Sequence, residues 1–178
     1  MRTLTRPLIG AGVLALLAAA GYAAAEQSAP TFAADGDLCA VGSCEAATVT
    51  RVIDGDTLDV DAAGHTQRVR VLGIDTPETK KPGEPVDCFG PEATARTEAM
   101  LPAGAPVTLV TDDAADATDD YGRALRHVTT AAGDNLGEVL VSEGYADTTT
   151  FAHSLTDDYN AAATAARDHD AGLWAACR

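Results

Sequence analysis

Apolar and polar positions alternate in short runs from about residue 46 to 74, and beyond residue 90 helical stretches alternate with further strand-like runs. Ala47-Thr48-Val49-Thr50-Arg51-Val52-Ile53 is rich in β-branched residues and predicts a strand. Asp54-Gly55 predicts a turn, residues 57–61 alternate, and Ala63-Gly64 predicts a second turn into a strand over residues 67–74. The proline- and glycine-bearing run KKPGEPVD, residues 80–87, predicts a loop. Pro91 suits a first helical position and Glu92 the positive helix end, with Pro102 stopping the helix near Leu101. Residues 106–111 and 123–129 predict two more strands. Asn135 with Glu138 predicts a capped second helix with Leu136, Val139 and Leu140 on one face, closed by Gly144. A third helix is expected from Thr156, with Asp157 and Asp158 in its first turn, to near Gly172.

Five short strands, with a helix between the third and fourth, predict an α+β, mainly β domain over residues 46–178. The expected architecture is a five-stranded OB-fold barrel with about three helices packed on it.

Composition adds a compartment and a charge. A chain of 178 residues, 46% of them hydrophobic, has room for one core and some extra length. At the N-terminus, Arg2 and Arg6 precede an apolar run and the triplet Ala23-Ala24-Ala25, which reads as a signal peptide over residues 1–25 cleaved near Ala25. The competing reading is an uncleaved membrane anchor, which the short core and alanine triplet disfavour. The protein is therefore expected to be secreted, with residues 26–45 a linker carrying a Cys39/Cys44 loop. Four cysteines outside the cell imply two disulfides, and three pairings are open to them. Cys39–Cys44, closing a local loop, and Cys88–Cys177, tying a surface loop to the C-terminus, are favoured over a metal cluster because C-x-x-C spacing is absent. The 27 acidic against 12 basic residues give a formal net charge of −15. That balance argues against a broad basic face.

The chemistry concentrates in residues 51–78, RVIDGDTLDVDAAGHTQRVRVLGIDTPE. Strands and tight turns separate Asp56, Arg70, Asp75 and Glu78, so hard oxygen donors and a phosphate-gripping fork are held on rigid elements. Residues five apart on a straight strand face opposite ways, so Arg70 and Asp75 can share a site only if the strand breaks, and Gly73 is the natural place. Each feature has a plainer reading: Asp54-Gly55-Asp56 as only a hairpin turn, Arg70 as an ion-pair partner of Asp59 or Asp61, Arg123 as surface decoration. The aspartate-rich run of residues 112–120 lacks EF-hand spacing and reads as a solvated loop. His65, His127, His153 and His169 show no ligand spacing and read as surface or packing residues, and Trp174 with Leu173 as packing for the C-terminal end.

Taken in order, IDGDT (53–57), RVRVLGIDTPET (68–79), FGPEA (89–93), DDYGRAL (119–125) and GLW (172–174) resemble the thermonuclease, or staphylococcal-nuclease-like, family. The resemblance implies an OB-fold and calcium-dependent hydrolysis of phosphodiester bonds in DNA and RNA. It implies Asp56 and Asp75 as calcium-binding carboxylates, Thr76 as a backbone carbonyl ligand, and Asp54 as support for the metal shell. It further implies Glu78 as the acid that positions or deprotonates the attacking water, Arg70 and Arg123 as the pair gripping the scissile phosphate, and Tyr121 as lining the nucleotide pocket. The chain departs from the family at Asp120, where well-known members carry lysine, and at Thr150 and Ala152, where they carry tyrosines. Nucleic acid is the expected partner, with a monomer and no protein partner expected. Two other readings remain: a non-catalytic OB-fold binding module, and a phosphodiesterase acting on small phosphate esters.

Overall fold

The computed structural model describes residues 38–178 apart from 81, 82 and 84. The expected signal peptide, its cleavage near Ala25 and the linker as far as residue 37 lie outside the described residues. After a short 3-10 turn at Leu38–Ala40 come β1 (Cys44–Asp54), β2 (Thr57–Ala62), β3 (His65–Val71) and β4 (Ile74–Asp75). They are followed by α1 (Gly90–Met100), β5 (Pro106–Val110), β6 (Ala124–Thr130), α2 (Leu136–Ser142), β7 (Asp147–Thr148), α3 (Thr156–Asp168) and α4 (Leu173–Ala176).

Five strands close a barrel in the order β1-β2-β3-β6-β5, and β5 returns to β1. All pairings are antiparallel except β3 with β6, which is parallel. This is the OB-type barrel expected from the strand count. Val49, Leu58, Val60, Val69, Val71, Leu109 and Val128 fill its interior, each at most 1% exposed. Leu136, Leu140 and Tyr159 extend that core to α2 and α3. Burying such side chains contributes roughly 1.5–3 kcal/mol each.

The local signals act as read at the helix starts. Pro91 sits in the first turn of α1, and Asn135 caps α2 by accepting a hydrogen bond from the Gly137 amide at 3.1 Å. Two boundaries differ. β1 begins at Cys44, inside the expected linker, because its pairing with β5 runs on to Cys44 opposite Val110. α3 stops at Asp168, since Asp170 and Gly172 take positive φ (52° and 51°) and turn the chain into α4. Both disulfides form as favoured, Cys39–Cys44 and Cys88–Cys177, with Cα separations of 5.4 and 5.8 Å. Trp174 is half-buried under the Arg167 guanidinium, 4.5 Å from its ring centre.

Across β1, β2 and β3, Asp59 accepts from Arg51 at 2.7 Å and from Arg68 at 2.8 and 3.1 Å. The Arg68 hydrogen bond, opposed by burial and reinforced by Arg51, holds its carboxyl below the usual carboxylate range. A lowered folded pKa contributes stability that is present above about pH 4 and lost as pH falls through the folded value. Asp59→Asn is therefore expected to lose about 1–2 kcal/mol at neutral pH, discounted for the exposure of both arginines. Its deficit relative to wild type should shrink below pH 3, measured by urea unfolding at both pH values.

Candidate functional site

The Asp54-Gly55-Asp56 turn joins β1 to β2 at one end of the barrel, and α1 holds it through Thr97 Oγ1, which donates to the Gly55 carbonyl at 2.6 Å. Asp56 is only 5% exposed. Its Oδ2 accepts from the Thr76 amide at 2.8 Å and from Thr76 Oγ1 at 2.9 Å, and its Oδ1 accepts from Thr57 Oγ1 at 3.0 Å. A buried carboxylate needs such donors. They fix where Asp56 sits.

The strand carrying Arg70 does break. β3 stops at Val71, Gly73 takes φ +82°, and β4 leaves the barrel to pair with β7, Asp75 opposite Asp147. The turn cancels the alternation that would separate Arg70 from Asp75. Arg70 Nη2 donates to Asp75 Oδ1 at 2.6 Å, while Nη1 lies 2.5 Å from Asp56 Oδ2. Arg70 does not pair with Asp59 or Asp61; the neighbouring Arg51 and Arg68 take Asp59.

Two further acids border this cluster. Asp54 is pushed up to about 6, first by burial and then by the Asp56 charge, with Glu78 adding to the effect. Its buried Oδ1 has no hydrogen-bond partner. Glu78 Oε1 accepts from the Thr79 and Lys80 amides at 2.9 and 3.0 Å, so the turn after it fixes its carboxylate. Carboxylates that repel one another, an orphaned buried oxygen and all-oxygen donors fit a hard divalent cation such as calcium or magnesium. Asp56, Asp75 and Thr76, which Arg70 and the Thr76 hydrogen bonds bring together, could hold such an ion, with the partnerless Asp54 oxygen on the adjoining turn.

Arg70 and Arg123 line one cleft of about 610 Å³. They share it because the parallel β3–β6 pairing sets Arg70 opposite Leu125, two residues past Arg123. Arg123 is held by Asp119: its Nε donates to Asp119 Oδ2 at 2.6 Å and its amide to Oδ1 at 2.9 Å. Asp113, Asp116 and Asp120 line the cleft beside it, as does Phe151, a residue 75% exposed. Tyr121 is 86% exposed and does not line the cleft; its ring lies 5.5 Å from the Arg123 guanidinium. Asp54, Asp56, Asp75 and Glu78 are likewise outside the lining, and Arg70 is the link from them to it.

One polar group was misread from sequence. Asp112 belongs to no solvated loop: it is 5% exposed and binds His127 Nε2 at 3.0 Å and both the amide and Oγ of Ser154 at 2.7 Å. His127 and His153 are buried beside it, at 0% and 6% exposure. Only the barrel register and the loop before α3 bring these positions together, so no local spacing announced them. His65 and His169 are exposed, as read.

A family model described as staphylococcal nuclease homologue matches residues 68–176, more than half of the chain. The chain belongs to the staphylococcal nuclease homologue family. It is 43% identical over 103 residues to the thermonuclease of Staphylococcus intermedius, covering 57% of this chain and 58% of that protein. It is 39% identical over 99 residues to the SPbeta prophage-derived endonuclease YokF of Bacillus subtilis (strain 168), covering 56% of this chain and 32% of that protein. It is 30% identical over 145 residues to the uncharacterized protein MJ1439 of Methanocaldococcus jannaschii, 71% of this chain and 70% of that one. The chain thus spans about a third of YokF and under three-fifths of the thermonuclease. The match to the staphylococcal nuclease homologue model begins within β3, so Arg70, Asp75, Thr76, Glu78 and Arg123 fall inside it. Asp54 and Asp56 join the cluster by geometry.

The break at Gly73 is testable. A Cβ there would lie 2.5 Å from His153 Nε2, whereas Gly64 has the same φ of +82° and open space around it. Gly64→Ala should cost about 1 kcal/mol of backbone strain, and Gly73→Ala about 2–4 kcal/mol, strain plus clash. Chemical denaturation of the two variants reads the difference.

Proposed function

We propose that this protein is a secreted, calcium-dependent nuclease that hydrolyses phosphodiester bonds of DNA and RNA, working as a monomer. The observation that carries the reading is Arg70, which bridges Asp56 and Asp75 while lining the cleft that also holds Arg123. Two disulfides support the oxidising compartment that the N-terminal signal implies.

When bound, calcium supplies charge to polarise a phosphoryl oxygen. The rest is done by this chain. Arg70, which now neutralises two carboxylates, turns its fork toward phosphate once that negative charge is shared with a cation. Arg123 gives up Asp119 for the same phosphate, and together the two guanidiniums offset charge that builds in the transition state. Glu78, oriented by two backbone amides, accepts the proton of the attacking water. Phe151 offers an exposed ring at the cleft for a base to stack on.

A second reading, hydrolysis of short phosphodiesters, is favoured by the four aspartates Asp113, Asp116, Asp119 and Asp120 along the cleft, which repel flanking phosphates of a long strand.

The test is cleavage of single-stranded DNA and RNA with calcium, magnesium or chelator, beside a dinucleotide diester. Cleavage with calcium alone, lost in Glu78→Gln and reduced roughly 10²–10³-fold by removing either arginine, is the expected result. Binding without cleavage favours the non-catalytic module, and turnover of the dinucleotide alone favours the second reading. With calcium saturating, raising salt from about 0.05 to 0.5 M should leave cleavage of long DNA unchanged or faster, because screening weakens the aspartate repulsion. A steep fall with salt counts against that picture.

A further inference from the structure

We propose that Asp112, His127 and His153 form a second metal site, separate from the acid cluster and suited to zinc or a similar first-row transition ion. One ligand atom from each residue can be chosen so that all three lie within 4.8 Å of one another, and the three side chains are buried. Tetrahedral zinc with bonds of about 2.0–2.1 Å holds its ligand atoms about 3.3 Å apart. The 3.0 Å contact between His127 Nε2 and Asp112 Oδ2 is already near that spacing.

The decisive atom is His153 Nδ1, which is buried without a hydrogen-bond partner on a residue 94% withdrawn from solvent. A native fold seldom leaves such an atom unsatisfied unless an ion or water completes it. Burial holds both imidazoles below the ordinary histidine range, opposed by the Asp112 carboxylate beside them.

The surrounding groups orient the donors as outer partners of metal ligands do. Asp112 accepts from the amide and hydroxyl of Ser154 and from the Ala114 amide at 2.9 Å. On the far side of the His127 ring, Nδ1 lies 3.4 Å from Tyr159 Oη, which itself donates to Asn135 Oδ1 at 3.0 Å. Binding takes the His127 tautomer whose proton sits on Nδ1, facing Tyr159 Oη, so that Nε2 offers its lone pair; metal–nitrogen and metal–oxygen bonds then replace the hydrogen bond to Asp112 with no net loss of a proton. Two imidazoles and one carboxylate suit a borderline ion, whereas calcium prefers the all-oxygen cluster at the other site. An ion here would clamp the loop before α3, which carries Phe151 and Ala152 of the cleft wall, to β5 and β6.

The experiment uses the full chain freed of metal by chelation, titrated with Zn²⁺ and with Co²⁺. One equivalent should bind, with visible bands of a low-coordinate cobalt site and a rise in Tm of about 5–10 °C at a hundredfold excess over Kd. His153→Gln should lose all three signals, and Asp56→Asn should keep them. Nitrogen-15 NMR of the wild-type imidazoles provides a reading without mutation: Zn²⁺ should shift His127 and His153 and leave His65 and His169 in place. Unmoved His127 and His153 ring nitrogens, binding unchanged in His153→Gln, or binding lost in Asp56→Asn each overturn the proposal.

Discussion

Arg70 reaches Asp56 and Asp75 together only because β3 gives way at Leu72-Gly73 and the next two residues join a different sheet. Within the barrel, Arg70 is fixed by β2 on one side and β6 on the other. Beyond the turn, the Thr149 amide donates to the Gly73 carbonyl at 3.0 Å and β4 pairs with β7, so Asp75 belongs to the outer layer. The guanidinium spans the seam between the two layers. The β1–β2 turn, the floor that α1 gives it and the Thr76 bonds to Asp56 keep the near wall of that seam in place.

Charge pairing decides how a chain so acidic can still present cations to a phosphate. Arg51 and Arg68 are committed to Asp59, Arg96 to Glu143, Arg167 to Asp147 and Arg178 to Asp170. The two cleft arginines are also paired, but with acids at or beside the site itself. On the function proposed above, phosphate would bind by exchange, displacing Asp119 from Arg123 and competing with two carboxylates for Arg70. Exchange costs less when a cation shares the carboxylates, so metal and phosphate should favour each other's binding. A basic surface would attract substrate without that coupling. Here the cleft itself is lined by two basic side chains, Arg70 and Arg123.

Where bonding is local, the sequence made the structure legible. Asp54-Gly55, Ala63-Gly64, Pro91 and Asn135 act within a few residues of themselves, and the elements start where they stand. The break before Asp75 was also readable, since strand parity forbids Arg70 and Asp75 from sharing a face without one. The buried trio was not. Asp112 lies just beyond the end of β5, His127 on β6 opposite Val110, and His153 ahead of α3, so their meeting depends on strand register and on α3 docking. Tyr121 and Phe151 show the same limit: both are exposed aromatics, and only the path of each loop decides which one faces the cleft.

Gly73 ties the two polar centres together. Its missing Cβ admits the His153 ring on one side, and its positive φ releases Asp75 toward Arg70 on the other. Any shift of His153 is thus felt by the turn that sets the spacing between Arg70 and Asp75. The buried Asp112–His127 pair, held through Ser154 to the start of α3, resists such shifts because neither partner can find water if the pair opens. In a barrel whose interior is small aliphatic residues, this hydrogen-bonded group gives the cleft wall a defined position that apolar packing alone would leave freer to slide. The rigidity that the acid cluster needs is supplied, in part, from the other face of the same turn.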